Sequence, residues 1–383
     1  MKRPFREHHL FEILNAFEAR PLPLDHFLRN YFRAHPAVGS KDRKVICEAL
    51  YAMIRWRGLF DYLTSGPTSW ETRYARFLQC DPMQSIGDTS IPSHIRVSFP
   101  KDFYQLLEES LGQEQAFAFC LASNATAPTT VRTNRIKTSR EKLLSLWSGQ
   151  YPVRPCQHSP DGIAFEQKIN FFGLPEFKEG CFEVQDEASQ LIAAMCAVKP
   201  GDHFLDFCSG SGGKSLAIAP HMQGKGQLYL HDIRLQALVE AKKRLKRAGI
   251  QNAQLILPDS TQLKSIKGRI DWVLVDAPCS GTGTLRRNPD MKWKFDKEMV
   301  PRLVLEQRAI FQQALSYLKP TGRIVYATCS VLPQENEQQT AYFLESYPLE
   351  LVGTPFHSTP KAGEMDGFYG AVFRKMTHGS VLK

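Results

Sequence analysis

Apolar residues recur at helical spacing through the first eighty positions of the chain. Leu10, Ile13, Leu14 and Phe17 share one face, and in "DRKVICEALYAMIRWRGLFDYL" Val45, Ile46, Ala49, Leu50 and Met53 repeat the period. Thr68-Ser-Trp-Glu71 has the form of a capping box, with Trp70, Tyr74 and Phe77 beyond it. No segment here alternates as a strand does, so residues 1–80 are expected to form an all-α bundle. Residues 81–100 read as a linker, because 81–99 are rich in Pro, Ser and Gly. A helix is expected at 101–121. It is followed by the strand-like "TTVRTN", the helical "SREKLLSLW" and a strand at "GIAFEQ", which together suggest a small α+β module over 101–180.

From residue 181 to 383 the pattern changes to short apolar runs alternating with helices. "DHFLDF", "GQLYLHD", "AQLILPD", "IDWVLVDAP" and "GRIVYATC" are strand candidates. Between them, "RLQALVEAKKRLKRAG" carries Leu235, Leu238, Val239 and Leu245 as an apolar stripe and ends at Gly249, a helix cap. Strands apolar on both sides and separated by helices imply a parallel sheet covered on both faces. Four of these runs end in aspartate: Asp206, Asp232, Asp259 and Asp276. In a doubly wound sheet those ends line the ligand crevice. Aspartates also cap helices, but four in succession exceed what caps require.

Composition narrows the setting. Hydrophobic content of 43% and charged content of 23% are ordinary for a globular protein. No apolar run reaches the ~18–20 residues that span a bilayer, and no signal peptide is read at the N-terminus. The nine cysteines are odd in number and form no Cys-x-x-Cys pair, which argues against a disulfide framework or a zinc site and for a cytoplasmic location. The Asn124-Ala-Thr126 glycosylation triplet is taken as chance. The net charge of +9 is clustered. "AKKRLKR" (241–247) holds five basic residues in seven, and "LRRNPDMKWKF" interleaves Arg286, Arg287, Lys292 and Lys294 with Trp293 and Phe295. Cations that neutralise phosphates and rings that stack on bases point to a nucleic-acid partner.

The loop "CSGSGGKS" (208–215) admits three readings. A phosphate loop would need glycine where Cys208 stands, although "WVLVD" ending at Asp276 resembles a magnesium-holding strand. A dinucleotide loop would need a third glycine where Ser215 stands. S-adenosylmethionine needs close backbone approach and an acid for its ribose, which Gly210, Gly212 and Asp232 would supply. The runs ending near Cys279 and Cys329 place a thiol after each of two strands, 50 residues apart. One chemistry uses such a pair. Carbon 5 of cytosine becomes nucleophilic only after a thiolate adds to carbon 6, and after methyl transfer the thiol must be expelled. A second thiol could assist release, and Asp276 could hold the amino edge of the base. The other seven cysteines, Cys208 included, read as small buried hydrophobes.

The chain resembles the RsmB/Sun-type RNA cytosine-5 methyltransferases. "DAPCSGTGTLRRNPD" is similar to that family's fourth motif and "ATCSVLPQENE" to its sixth. "FEVQDEASQLIA" (182–193) is similar to its entry motif and "DGFYGAVFRK" (366–375) to its closing strand. The resemblance implies an α/β Rossmann-like class I methyltransferase domain over 181–383, preceded by an all-α N-terminal bundle and a small α+β RNA-binding module. It implies Cys329 as nucleophile, Cys279 as the thiol that helps release, and Lys214 beside the target base. It also implies S-adenosylmethionine held by Cys208, Ser209, Gly210, Ser211, Gly212, Gly213 and Lys214 together with Asp232, Asp259 and Asp276, and no metal. "GSKDRKVICEALYAMIRWRGLFDYL" resembles a NusB-like domain, which favours ribosomal over transfer RNA as partner. The chain departs from the family at one place. The usual Cys-Ala-Ala-Pro-Gly-Gly-Lys is here Cys-Ser-Gly-Ser-Gly-Gly-Lys, so the loop lacks its rigid proline, which bears on cofactor affinity. A phosphate-loop hydrolase and a catalytically silent RNA-binding protein remain the readings from other classes.

Overall fold

The computed structural model describes residues 3–18, 22–167, 169–258 and 260–376. They form two compact units. One is residues 1–126 with 284–297, and the other is 127–283 with 298–383.

The first unit is helical among the described residues, as its 3.6-residue periodicity requires. Helices Phe5–Glu18 and Ser40–Arg55 bury Ile13, Leu14, Ile46, Leu50 and Met53 in one core, with Trp70 of Trp70–Gln79 against them. The capping box is present one residue later than the sequence suggested. Ser69 is the cap, with Thr72 as its partner, because the Ser69 hydroxyl accepts from the Thr72 N–H. The expected linker is not a linker. Residues 82–85 and 93–96 are helical turns, and Ile91, Val97 and Phe99 are buried. Helices Lys101–Leu111 and Gln113–Ser123, placed by the sequence at the start of the α+β module, pack within this compact unit.

The basic and aromatic segment at 285–295 is likewise part of this unit's interior. The Trp293 indole N–H donates to the Ile54 carbonyl at 2.7 Å, and its ring packs on the helical core. Lys292 is buried and donates to the Arg55 carbonyl at 2.7 Å and to Asn124 Oδ1 at 2.8 Å. Burial pushes its ammonium well below the usual lysine range. Phe295 stacks on Phe103 with ring centroids 4.4 Å apart, and Arg286 is buried. The expected base-stacking role of Trp293 and Phe295 is therefore corrected: both rings are engaged in the fold.

The second unit holds two sheets. Strands β1 (Thr129–Thr133), β2 (Val153–Pro155), β3 (Gly162–Phe165) and β4 (Phe182–Val184) form an antiparallel sheet in the order β2-β3-β1-β4. The helix Arg140–Trp147, capped by Ser139, places Trp147 in a core with Phe165, Phe171 and Phe182. The larger sheet contains β5 (His203–Asp206), β6 (Gln227–His231), β7 (Ala253–Ile256), β8 (Ile270–Asp276), β9 (Leu318–Thr328), β10 (Leu349–Leu351), β11 (Phe356–Ser358) and β12 (Phe368–Lys375). Its order is β10-β12-β9-β8-β5-β6-β7, with β11 on β12. Strands β5 to β9 pair in parallel, and β12 runs antiparallel to β9. Alternate residues feed opposite cores: Phe204, Leu228, Trp272 and Val325 on one face, and Leu205, Tyr229, Val273 and Tyr326 on the other.

The helix Leu235–Ala248 buries Leu238, Ala241, Leu245 and Ala248, and Gly249 caps it at φ 79°. Leu235 and Val239, expected in its apolar stripe, are instead exposed. The two alanines complete the buried face because only a small side chain fits this close to the loop after β5: a Cβ on Gly212 would lie 3.4 Å from the Ala241 Cβ.

Candidate active site

The chain leaves β5 for β6 and β7 on one side and returns to β8 and β9 on the other. The reversal puts a crevice at the carboxyl ends of β5, β6 and β8. Asp206, Asp232 and Asp276 stand there, as the strand-end pattern predicted. Asp259 lies outside the described residues.

The loop after β5 makes a tight turn. The Gly212 N–H donates to the Ser209 carbonyl at 2.8 Å, with Gly210 at φ 52° and Gly212 at φ 80°. A side chain at Gly212 would meet the Leu230 Cδ2 at 3.2 Å, so this glycine lets the loop lie against β6. Asp232 is buried and accepts from the Gly210 N–H at 2.7 Å and the Arg234 N–H at 2.8 Å, and also from the Arg234 guanidinium. Burial alone would raise its carboxyl, but these bonds hold it below the usual range. Asp206 is buried and accepts from the Ser215 hydroxyl at 2.7 Å, while its Oδ1 has no partner among the described residues. Burial pushes its carboxyl up to about 7. Cys208, expected as a buried hydrophobe, is only half-buried and lines the crevice; desolvation, with the neighbouring aspartates, holds its thiol protonated far above the usual range.

These groups line a cavity of about 590 Å³ whose apolar walls include Phe207, Ile233, Pro278 and Ile310. The residues present fit S-adenosylmethionine. An apolar slot suits adenine, a buried carboxylate after the second strand suits a ribose diol, and the partnerless oxygen of Asp206 suits an ammonium.

Lys214, on the helix Gly213–Met222, is also buried and donates to Asp276 Oδ2 at 2.5 Å. Burial would lower its ammonium, but Asp276, then Cys329 and Asp206, outweigh that and raise it. Next to this ion pair the two predicted thiols meet, with Cys279 Sγ and Cys329 Sγ 3.4 Å apart. The hydrogen bond to Cys329, with burial adding to it, holds the Cys279 thiol well above its usual range. Either thiol can donate in this contact.

A buried polar network the sequence reading missed ties the two thiol-bearing loops together. Glu335 accepts from the Ser280 N–H at 2.9 Å, the Ser280 hydroxyl at 2.5 Å and Gln307 Nε2 at 2.9 Å. The Tyr326 hydroxyl donates to the Glu335 carbonyl at 2.7 Å, and Asn336 Nδ2 donates to the Ser330 carbonyl at 2.9 Å. The Glu335-Asn336-Glu337 run after the second thiol was the available signal. Gly283 and Gly367 close the same corner: a Cβ on Gly283 would fall 2.0 Å from the Gly367 carbonyl oxygen.

The basic run 241–247 divides. Arg244 and Arg247 both donate to buried Glu183 of β4, at 3.0 and 2.5 Å. Only Lys242, Lys243 and Lys246 of that run are exposed. The expectation of phosphate contacts along the whole run is corrected for Arg244 and Arg247, whose guanidinium groups are engaged by Glu183.

Residues 193–374 match the family model for the 16S rRNA methyltransferase RsmB/F, and residues 99–171 match a ferredoxin-like domain of RsmF/B-like methyltransferases. The ribosomal RNA small subunit methyltransferase B of Pseudomonas putida is 33% identical over 296 residues, 74% of this chain and 67% of the relative. The chain belongs to the RsmB/F family. The RsmB/F relative from Proteus mirabilis, also a ribosomal RNA small subunit methyltransferase B, is 35% identical over 66% of this chain. The match spans 60% of that relative's own length. A methyltransferase homolog protein from Pyrococcus horikoshii is 26% identical, with a TM-score of 0.63 over 74% of this chain and 98% of its own. The RsmB/F domain match runs from within the helix Glu187–Met195 into β12 and so takes in both thiols and all three described acids. The ferredoxin-like match begins at residue 99 and so crosses the boundary between the two compact units at 126.

Proposed function

We propose that the chain methylates carbon 5 of cytosine in RNA, with ribosomal RNA of the small subunit as substrate and S-adenosylmethionine as donor. The observation that carries this reading is the 3.4 Å approach of two thiols from different strand ends beside the Lys214–Asp276 pair. When bound, S-adenosylmethionine supplies an electrophilic methyl group on a sulfonium. Cys329, as thiolate, adds to carbon 6 of the base and makes carbon 5 nucleophilic. Asp276 gives one oxygen to Lys214 and keeps the other for the amino edge of the base. Once Cys329 is bonded to carbon, the hydrogen bond that raised the Cys279 thiol is lost. Cys279 can then release its own proton to solvent and, as thiolate, take the carbon 5 proton; the electron pair of that carbon–hydrogen bond expels Cys329 as thiolate and restores the aromatic base.

The phosphate-loop reading is weaker, because Lys214 is buried and engaged by Asp276 instead of facing a phosphate. The NusB-like assignment of the N-terminal helices, the cytoplasmic location and the preference over transfer RNA belong to this same proposal. No helix among the described residues is long and apolar enough to cross a membrane. The test is bisulfite sequencing of small-subunit and transfer RNA after incubation with the protein and S-adenosylmethionine. A protected cytosine that is absent with Cys329→Ala supports the proposal. Binding of the cofactor with no protected cytosine in either RNA refutes it.

A further inference from the structure

The cofactor loop is strapped from two sides. On one, the Gly210 N–H is held by Asp232 at 2.7 Å. On the other, Arg244 Nη1 donates to the Ser211 carbonyl at 3.0 Å and to the Ser211 hydroxyl at 2.6 Å. The rest of the guanidinium is engaged by Glu183 Oε2, with Nε at 3.2 Å and Nη2 at 3.0 Å. Glu183 is buried and fixed in turn by Arg247 and by the pairing of β4 with β1. A planar fork that grips a carboxylate on one edge and a loop residue on the other is a task for arginine, since a lysine ammonium offers no rigid second edge.

The loop needs such a grip. Two of its residues, Gly210 and Gly212, sit at positive φ, and glycines lose the most conformational freedom when a segment is ordered. Ser211, between them, does not restrict the chain as a proline would. We propose that Arg244 is a positioning residue for cofactor binding, supplying by hydrogen bonds to Ser211 the rigidity that the loop's own residues lack. This rests on the reading of the 208–214 loop as the S-adenosylmethionine site. It also makes a particular rescue available. The Ser211 N–H makes no backbone–backbone hydrogen bond among the described residues and its φ is not positive, so neither a lost ladder bond nor a left-handed backbone bars a proline there.

The experiment is calorimetric titration of S-adenosylmethionine into the full chain and its variants, with melting temperature as a check on folding. Arg244→Ala is expected to weaken binding about 10- to 100-fold, the range for losing hydrogen bonds to a charged donor. Arg244→Lys is expected not to restore it. Arg244→Ala combined with Ser211→Pro is expected to recover most of the affinity, because proline lowers the entropy the loop must lose. Arg244→Ala binding as tightly as the wild type, or the proline bringing no recovery, overturns the proposal. Should Arg244→Ala fail to fold, Ser211→Ala carries the test. It removes the shorter bond, leaves Glu183 paired, and is expected to weaken binding about fivefold. Unchanged affinity there also overturns it. A wild-type chain that binds no S-adenosylmethionine would instead refute the reading of the site.

Discussion

Replacing Cys279 separates the two things its thiol is proposed to do. The two sulfurs lie 3.4 Å apart, and with Cys329 as thiolate only the Cys279 S–H can donate between them. A hydrogen bond to a charged acceptor contributes about 1.5–3 kcal/mol, so Cys279→Ala should slow attack on the base by roughly 10- to 150-fold. Cys279→Ser keeps a donor in that place and should attack at close to the wild-type rate. Neither variant retains a thiol to remove the carbon 5 proton, so both should stall with RNA bonded to Cys329. The assay is denaturing electrophoresis of protein mixed with RNA and cofactor, sampled over time. The serine variant should accumulate the slow-migrating complex quickly, and the alanine variant slowly but to the same final level. Cys329→Ala and the double variant should form none. Equal rates for the alanine and serine variants would refute the hydrogen-bond argument. A complex trapped in Cys329→Ala but lost in Cys279→Ala would reverse the two roles.

Three further outcomes follow from the buried charges and rings. Trp293→Ala should destabilise the helical unit by about 3–5 kcal/mol, seen as a lower denaturation midpoint, because it empties a core site; Trp293→Phe should cost only about 1 kcal/mol for the bond to Ile54. Asp206 is protonated more readily folded than unfolded, its carboxyl rising from 3.8 to about 7, so the cofactor-free protein should lose up to about 4 kcal/mol as pH rises through that window. Asp206→Asn should flatten that slope, and an unchanged pH–stability curve would remove Asp206 as its source. Lys242→Ala, Lys243→Ala and Lys246→Ala together should reduce the salt dependence of RNA binding by about 2 in log–log slope, at about 0.7 per phosphate contact, and an unchanged slope would show that these lysines touch no phosphate.

Much of the crevice was legible because its determinants are local. A strand that must be apolar on both faces and then end in an acid announces itself in seven or eight residues, and Asp206, Asp232 and Asp276 all stand where that pattern put them. The thiol pair was legible for the same reason, each cysteine lying just beyond an apolar run. What misled was charge and composition whose partners are distant in sequence. Lys292 and Trp293 look like a nucleic-acid surface until their bonds to Arg55, Asn124 and Ile54 are known, and those partners lie more than 160 residues earlier. Arg244 and Arg247 look solvated until Glu183 is found beneath them. The Pro- and Ser-rich 81–99 stretch reads as a linker because its few apolar residues, Val97 and Phe99 among them, follow no period, yet both are buried. Glu335 was visible but had no reason to be singled out, since a buried carboxylate is recognised only from the donors around it.

The insertion of residues 284–297 into the helical unit has a consequence for synthesis. A nascent chain emerges N-terminus first, and at residue 126 the ribosome has delivered every helix of that unit's main segment but not its last piece. Another 293 − 126 = 167 residues must be translated before Lys292 can reach Asn124 and Trp293 can reach Ile54. At about 5–20 residues per second that delay is roughly 10 to 35 seconds. During it the unit carries an open apolar slot where Trp293 belongs and an Asn124 side chain missing the ammonium it binds in the finished protein. The part of this unit made first is thus completed only by a strip made much later.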